Sequence, residues 1–70
     1  VKKDLLLRKF GALIRMKRVS LSLTQLKLAE LAECSLQSIG NIERGRANVS
    51  LIMAYRISEA LKVNIREILP

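Results

Sequence analysis

Few side chains in this chain could make or break covalent bonds, and nothing in their spacing arranges them to do so. There is no histidine, one cysteine (Cys34), and six carboxylates with no spacing that pairs two of them for acid–base work. A zinc ion finds no plausible ligand set, a single cysteine closes no disulfide within the chain, and no glycine-rich loop cradles a phosphate. An enzyme, a metal, a cofactor and a small-molecule ligand are therefore not expected. What remains is hydrogen-bonding chemistry, and it is concentrated in one segment. On a helix over Leu36–Arg44, turning about 100° per residue, Leu36, Gln37, Gly40, Asn41 and Arg44 share an arc of roughly 140°. Ser38, Ile39, Ile42 and Glu43 fill the opposite side. An amide can make two bonds to the edge of adenine, and an aliphatic side chain can touch the methyl group of thymine. Gly40 in mid-helix costs about 1 kcal/mol relative to alanine. Close approach to a duplex accounts for it, and so does simple tolerance.

The elements that must hold this arc are helical throughout, because no segment alternates polar and β-branched residues over a strand's length. The first helix is expected over Asp4–Arg18, with Leu6, Phe10, Leu13, Ile14 and Lys17 on one side, and a turn follows over Val19–Leu23. Thr24 is an N-cap for a second helix to about Ala32 that buries Leu28, Leu31 and Ala32. Ser35 caps the third helix, Leu36–Arg44, which stops at Gly45, a residue suited to the left-handed conformation of a helix C-terminus. After the polar loop Arg46–Asn48, Ser50 caps a fourth helix carrying Leu51, Ala54, Ile57, Ser58 and Leu61 inward. Lys62–Asn64 then lead into a short fifth helix, Ile65–Leu69. The middle pair matters most. Two short helices joined by a tight turn, each with its own cap, form the unit that places a second helix in a major groove.

At 70 residues the chain is expected to be one domain over 1–70, with a modest core and a thin margin of stability. The longest unbroken apolar run near the start, Leu5–Leu7, is far too short to span a membrane, and no secretory signal follows Lys2 and Lys3. A cytoplasmic protein is expected. The net charge is +7, and the excess is uneven, with Lys2, Lys3, Arg8, Lys9, Arg15, Lys17 and Arg18 set against Asp4 alone in the first 18 residues. Such a balance favours a polyanionic partner through counterion release, although a merely solvated face would have the same composition.

The string L-T-Q-x-x-L-A-x-x-A-x-C-S from Leu23 to Ser35 continues into x-x-x-I-x-x-I-E-R-G up to Gly45. With Phe10-Gly11, Ile14-Arg15 and Arg18 before it, and Asn48, Ser50, Leu51, Ile57, Ala60, Leu61 and Val63 after it, the pattern runs without a gap over residues 10–69. It resembles the Cro and repressor family of phage and bacterial regulators, also called the xenobiotic-response-element family. The resemblance implies an all-α, five-helix, lambda-repressor-like domain with its helix-turn-helix at the second and third helices, binding operator DNA in transcription control. It implies that Leu36, Gln37, Gly40 and Asn41 read bases, and that Gln25, Arg44, Arg46 and Asn48 meet phosphates. It also implies that Arg18 and Glu43 join in a partly buried salt bridge.

The chain departs from the family where glycine is usual and Ser22, Glu33 and Lys62 stand, where proline is frequent and Val49 stands, and where Lys27 replaces the glutamate of a capping box with Thr24. If the backbone keeps positive φ at the first three, each costs about 1 kcal/mol. Cys34 is read as a core thiol. One reading helix covers too few base pairs to discriminate against a genome, so a symmetric homodimer on a palindromic operator is expected, joined through Val63, Ile65, Ile68 and Leu69. The competing expectation is that these apolar groups simply close the small core. Within the same fold, an antitoxin or adaptor whose main ligand is a partner protein is the alternative function.

Overall fold

Three of the four helices of this chain begin on a capping hydroxyl, and all four end on the same backbone closure. In a computed structural model, which describes residues 2–69, α1 spans Lys3–Ser20, α2 Gln25–Leu31, α3 Leu36–Glu43 and α4 Leu51–Ala60. The hydroxyls of Thr24, Ser35 and Ser50 accept from the backbone N–H of Lys27, Ser38 and Met53, each at 3.0 Å, and so satisfy donors that the first turns of α2, α3 and α4 leave free.

The C-terminal ends are equally regular. In all four helices the N–H two residues past the C-cap reaches back to a carbonyl in the last turn: Leu23 to Arg18 (3.1 Å), Cys34 to Ala29 (2.9 Å), Arg46 to Asn41 (2.9 Å) and Val63 to Ser58 (3.0 Å). This closure requires a left-handed residue in between. Gly45 supplies it after α3 with φ +72°, but Ser22, Glu33 and Lys62 adopt φ of 58°, 58° and 57° after the other three helices. The strain is held by the next residue in each case, since Leu23, Cys34 and Val63 all pack against the core.

A fifth α-helix does not form. Ile65–Glu67 make a single 3₁₀ turn, so the expected five-helix count becomes four helices and one turn. Asn64 starts the turn, its side chain accepting from the Arg66 N–H at 2.9 Å and its own N–H donating to Glu67 Oε2 at 2.7 Å. The Ile68 N–H then bonds three residues back to Ile65, and five residues are too few to propagate an α-helix. The tight turn drives Ile68 wholly inside and leaves Leu69 48% exposed. Ile68 therefore belongs to the protomer's own core and is withdrawn from the expected dimer surface.

The core joins Phe10 and Ile14 of α1, Leu28 and Ala29 of α2, Ile39 and Ile42 of α3, Ala54 and Ile57 of α4, and Ala32, Leu61 and Ile68. Three residues expected to face it do not. Leu31 is exposed because the two turns of α2 bury the stripe Leu28, Ala29 and Ala32 instead. Leu51 keeps the phase of the α4 stripe, but as the first residue of α4 it overhangs the core. With Leu6, also exposed, it lines an open groove of about 460 Å³ that Leu69 borders too. α1 crosses α3 closely enough that a Cβ on Gly11 would lie 2.2 Å from the carbonyl oxygen of Ile42 and 2.7 Å from that of Glu43. Only a residue without a side chain lets the two backbones meet there.

Candidate nucleic-acid interface

α3 is held from behind and open in front. Ile39 and Ile42 are buried in the core, whereas Leu36, Gln37 and Arg44 are exposed and Asn41 is half-buried. The orientation is set by a polar network at the helix's C-terminal end. Arg18 of α1 donates to Glu43 of α3 through Nε (2.7 Å) and Nη2 (3.1 Å), in a fork geometry that fixes both partners. The side chains of Arg18 and Glu43 are only 13% and 3% exposed. Arg18 Nη1 also donates to the carbonyl of Leu23, in the turn between α1 and α2 (2.7 Å). Glu43 Oε1 accepts a further bond from Gln25 Nε2 of α2 at 3.0 Å. One carboxylate thus ties together three helices, and its hydrogen bond raises the affinity of Arg18 for its proton against the opposing effect of burial.

This network changes the picture of Gln25. The phosphate-contacting position implied by the resemblance carries an amide that is half-buried and turned inward, with one N–H already given to Glu43. A second N–H is left to donate. Arg46 and Asn48 are exposed in the α3–α4 loop, and Asn48 shares with Asn41 a shallow depression between α3 and the start of α4. Among the described residues Arg18–Glu43 is the one salt bridge, so the charges of Arg44 and Arg46 are not neutralised by a neighbouring carboxylate.

Gly40 is on the outward arc yet buried, because the guanidinium of Arg44 lies over it. Gly45 is needed twice, for its positive φ and because a Cβ there would lie 2.7 Å from Cγ and 2.8 Å from Cα of Arg8. Arg8 of α1 thus sits beside the loop that carries Arg46, a cation at this edge that sequence reasoning missed. No local signal could have found it, since most of α1 and the whole of α2 and α3 lie between the two residues. Cys34 is half-buried, and burial pushes its thiol pKa up while the positive charge of Arg56 opposes the shift. No helix among the described residues is long and apolar enough to cross a membrane.

Comparison with known proteins places this geometry among relatives. The helix-turn-helix family matches residues 14–68. An HTH-type transcriptional regulator of Methanothermobacter thermautotrophicus is 49% identical over 49 residues, covering 70% of this chain and 71% of that one. Among solved structures, the restriction-modification controller protein C.AhdI from Aeromonas hydrophila superposes with a TM-score of 0.89 at 36% identity, over 90% of this chain and 96% of that one. The clp gene regulator ClgR from Corynebacterium glutamicum superposes with a TM-score of 0.89 at 28% identity, over 96% of this chain and 71% of that one.

Proposed function

The chain belongs to the helix-turn-helix family in its Cro/repressor form, and we propose that it regulates transcription by binding a palindromic DNA operator as a symmetric homodimer. The observation that carries this reading is the arc of α3. It presents Leu36, Gln37, Asn41 and Arg44 outward while Ile39 and Ile42 anchor the helix and the Arg18–Glu43–Gln25 network fixes its tilt. In a major groove Gln37 and Asn41 meet base edges and Leu36 meets a thymine methyl, with Gly40 in the same arc. Arg46, Asn48 and the remaining N–H of Gln25 meet the backbone, where Arg8 adds charge. The net charge of +7 supplies the salt-dependent part of the affinity.

A second copy is needed because one helix reads only a few base pairs. With Ile68 inside the core, the apolar surface available to that copy is Leu69 with Leu51, Ile52 and Tyr55 of α4, which are 48%, 75%, 66% and 54% exposed. Val63 and Ile65 are half-buried and pack against the protomer's own core, which leaves them a smaller share of that surface. A protomer 30 Å in its longest dimension is of a size to set two α3 helices about 34 Å apart, one turn of DNA.

Selection of bound sequences from a random duplex pool tests the reading. The expected product is an inverted repeat with half-sites about one turn apart, bound with an affinity that falls steeply with salt. Equal affinity for every duplex would refute it. Sedimentation of Ile52→Asp, a change at a residue 66% exposed, tests the interface. A folded monomer with weakened operator binding is expected, and an undiminished dimer would place the contact elsewhere.

A further inference from the structure

Gly40 has no positive φ that would demand glycine, so the reason for its bare Cα must be space. A Cβ there would lie 3.2 Å from Nη1, 3.4 Å from Nη2 and 3.6 Å from Cζ of Arg44. The terminal Nη1–Nη2 end of the guanidinium is the part nearest, so this end of the side chain lies against the helix at Gly40. It is held there as well, because Nη2 donates to Oδ1 of Asn41 at 2.8 Å. Arg44 is the C-cap of α3, and helical side chains lean toward the N-terminus. Its guanidinium is thereby carried back one turn, from the end of the helix to the middle of the outward arc.

We propose that Arg44 is a base-reading residue selective for guanine, seated by the bare Cα of Gly40 and the side-chain carbonyl of Asn41. The inference rests on the DNA-binding reading above and replaces the phosphate-contacting role that the family resemblance implies for Arg44. A phosphate can take the same fork, but phosphates line the rim of the groove, whereas the middle of the outward arc, where Gly40 and Asn41 hold this guanidinium, faces base edges. Guanine needs two N–H groups aimed together at O6 and N7, and a guanidinium has five, of which one is given to Asn41. Holding the fork in place before binding removes part of the ordering cost at the moment of contact. Asn41 then acts on this base through Arg44, as a positioning residue with its NH₂ group still free to donate.

The test uses the duplex selected by the wild-type chain, with each half-site base pair substituted in turn, and measures binding by Gly40→Ala, Arg44→Lys, Arg44→Ala and the Gly40→Ala/Arg44→Ala double variant. Circular dichroism confirms folding, which these changes at a helix glycine and an exposed side chain leave intact. One G·C pair is expected whose replacement weakens the wild type by about tenfold or more. Arg44→Lys keeps the charge and is expected to lose that preference alone, since a single ammonium lacks the fork. Gly40→Ala weakens the same preference, and in the Arg44→Ala background it has no further effect. A Gly40→Ala effect that persists without the arginine would overturn the proposal and make the glycine a point of close DNA approach. So would an Arg44→Lys protein that still selects guanine. A wild-type chain without any duplex preference would sink the DNA-binding reading itself, a different result from failure in the Arg44 variants alone.

Discussion

Replacing Glu43 by alanine is the most informative single perturbation of this fold. Its carboxylate accepts from Arg18 Nε at 2.7 Å, Arg18 Nη2 at 3.1 Å and Gln25 Nε2 at 3.0 Å, and the side chain is 3% exposed. Truncation leaves a guanidinium and an amide facing a gap that water reaches poorly. Breaking a buried ion pair from one side costs about 3–5 kcal/mol. Arg18 keeps its bond to the Leu23 carbonyl and is 13% exposed, so the lower end, about 3 kcal/mol, applies. A domain of this size has a total stability of only about 4–10 kcal/mol. The melting temperature, followed by circular dichroism, should fall by about 12–24 °C. Salt should change that loss little, because a pair so well covered is weakly screened. The Arg18→Met/Glu43→Leu double variant should recover most of the stability, since apolar groups of similar volume leave no unpaired charge. A Glu43→Ala protein that loses less than about 1 kcal/mol, the range of an exposed pair, would refute the reasoning.

Gly11→Ala should destabilise by about 3 kcal/mol or more, or abolish folding, because its Cβ would meet backbone oxygens of α3 that cannot move aside; an unchanged urea midpoint would show that α1 and α3 do not cross there. Glu33→Gly and Lys62→Gly should each raise stability by about 1 kcal/mol by relieving φ of 58° and 57°, seen as a higher melting temperature for both single variants. Cys34 has its pKa raised by burial, so folding favours the neutral thiol. Its contribution is fully present below the unfolded value and is lost as pH rises through the higher folded one, so a Cys34→Ala protein should lose less stability than the wild type on moving from pH 8 to pH 10. The same shift should make Cys34 react with iodoacetamide more slowly than a cysteine in a short peptide at pH 8.

The features legible along the chain are those whose physics is local. Thr24, Ser35 and Ser50 cap helices because each hydroxyl reaches an amide three residues on, and no distant group enters that bond. The family pattern likewise marked Ser22, Glu33 and Lys62 as places where glycine is usual, and the backbone takes positive φ at all three, since helix closure is settled within six residues. The apolar period located α3 and its two faces, with Ile39 and Ile42 inside and Leu36 and Gln37 outside. Tertiary structure decided everything that depends on distance between elements. Ile65–Leu69 has the composition of a short helix, and that its single 3₁₀ turn carries Ile68 wholly into the core is visible only in the packed fold. Leu51 has the phase of a core residue, and only the length of the core leaves it exposed. Gln25 stands in a first turn suited to phosphate, until the carboxylate of Glu43, 18 residues away, takes one of its donors. Gly11 is part of the family pattern, but nothing along the chain says that the backbone of α3 will lie against it. A helical wheel assigns Arg44 a direction from its Cα, but a side chain this long delivers its charge one turn away, where Gly40 leaves room for it. Periodicity sets the direction of a Cα–Cβ bond; where the far end of a long side chain comes to rest is set by whatever surface the fold brings beneath it.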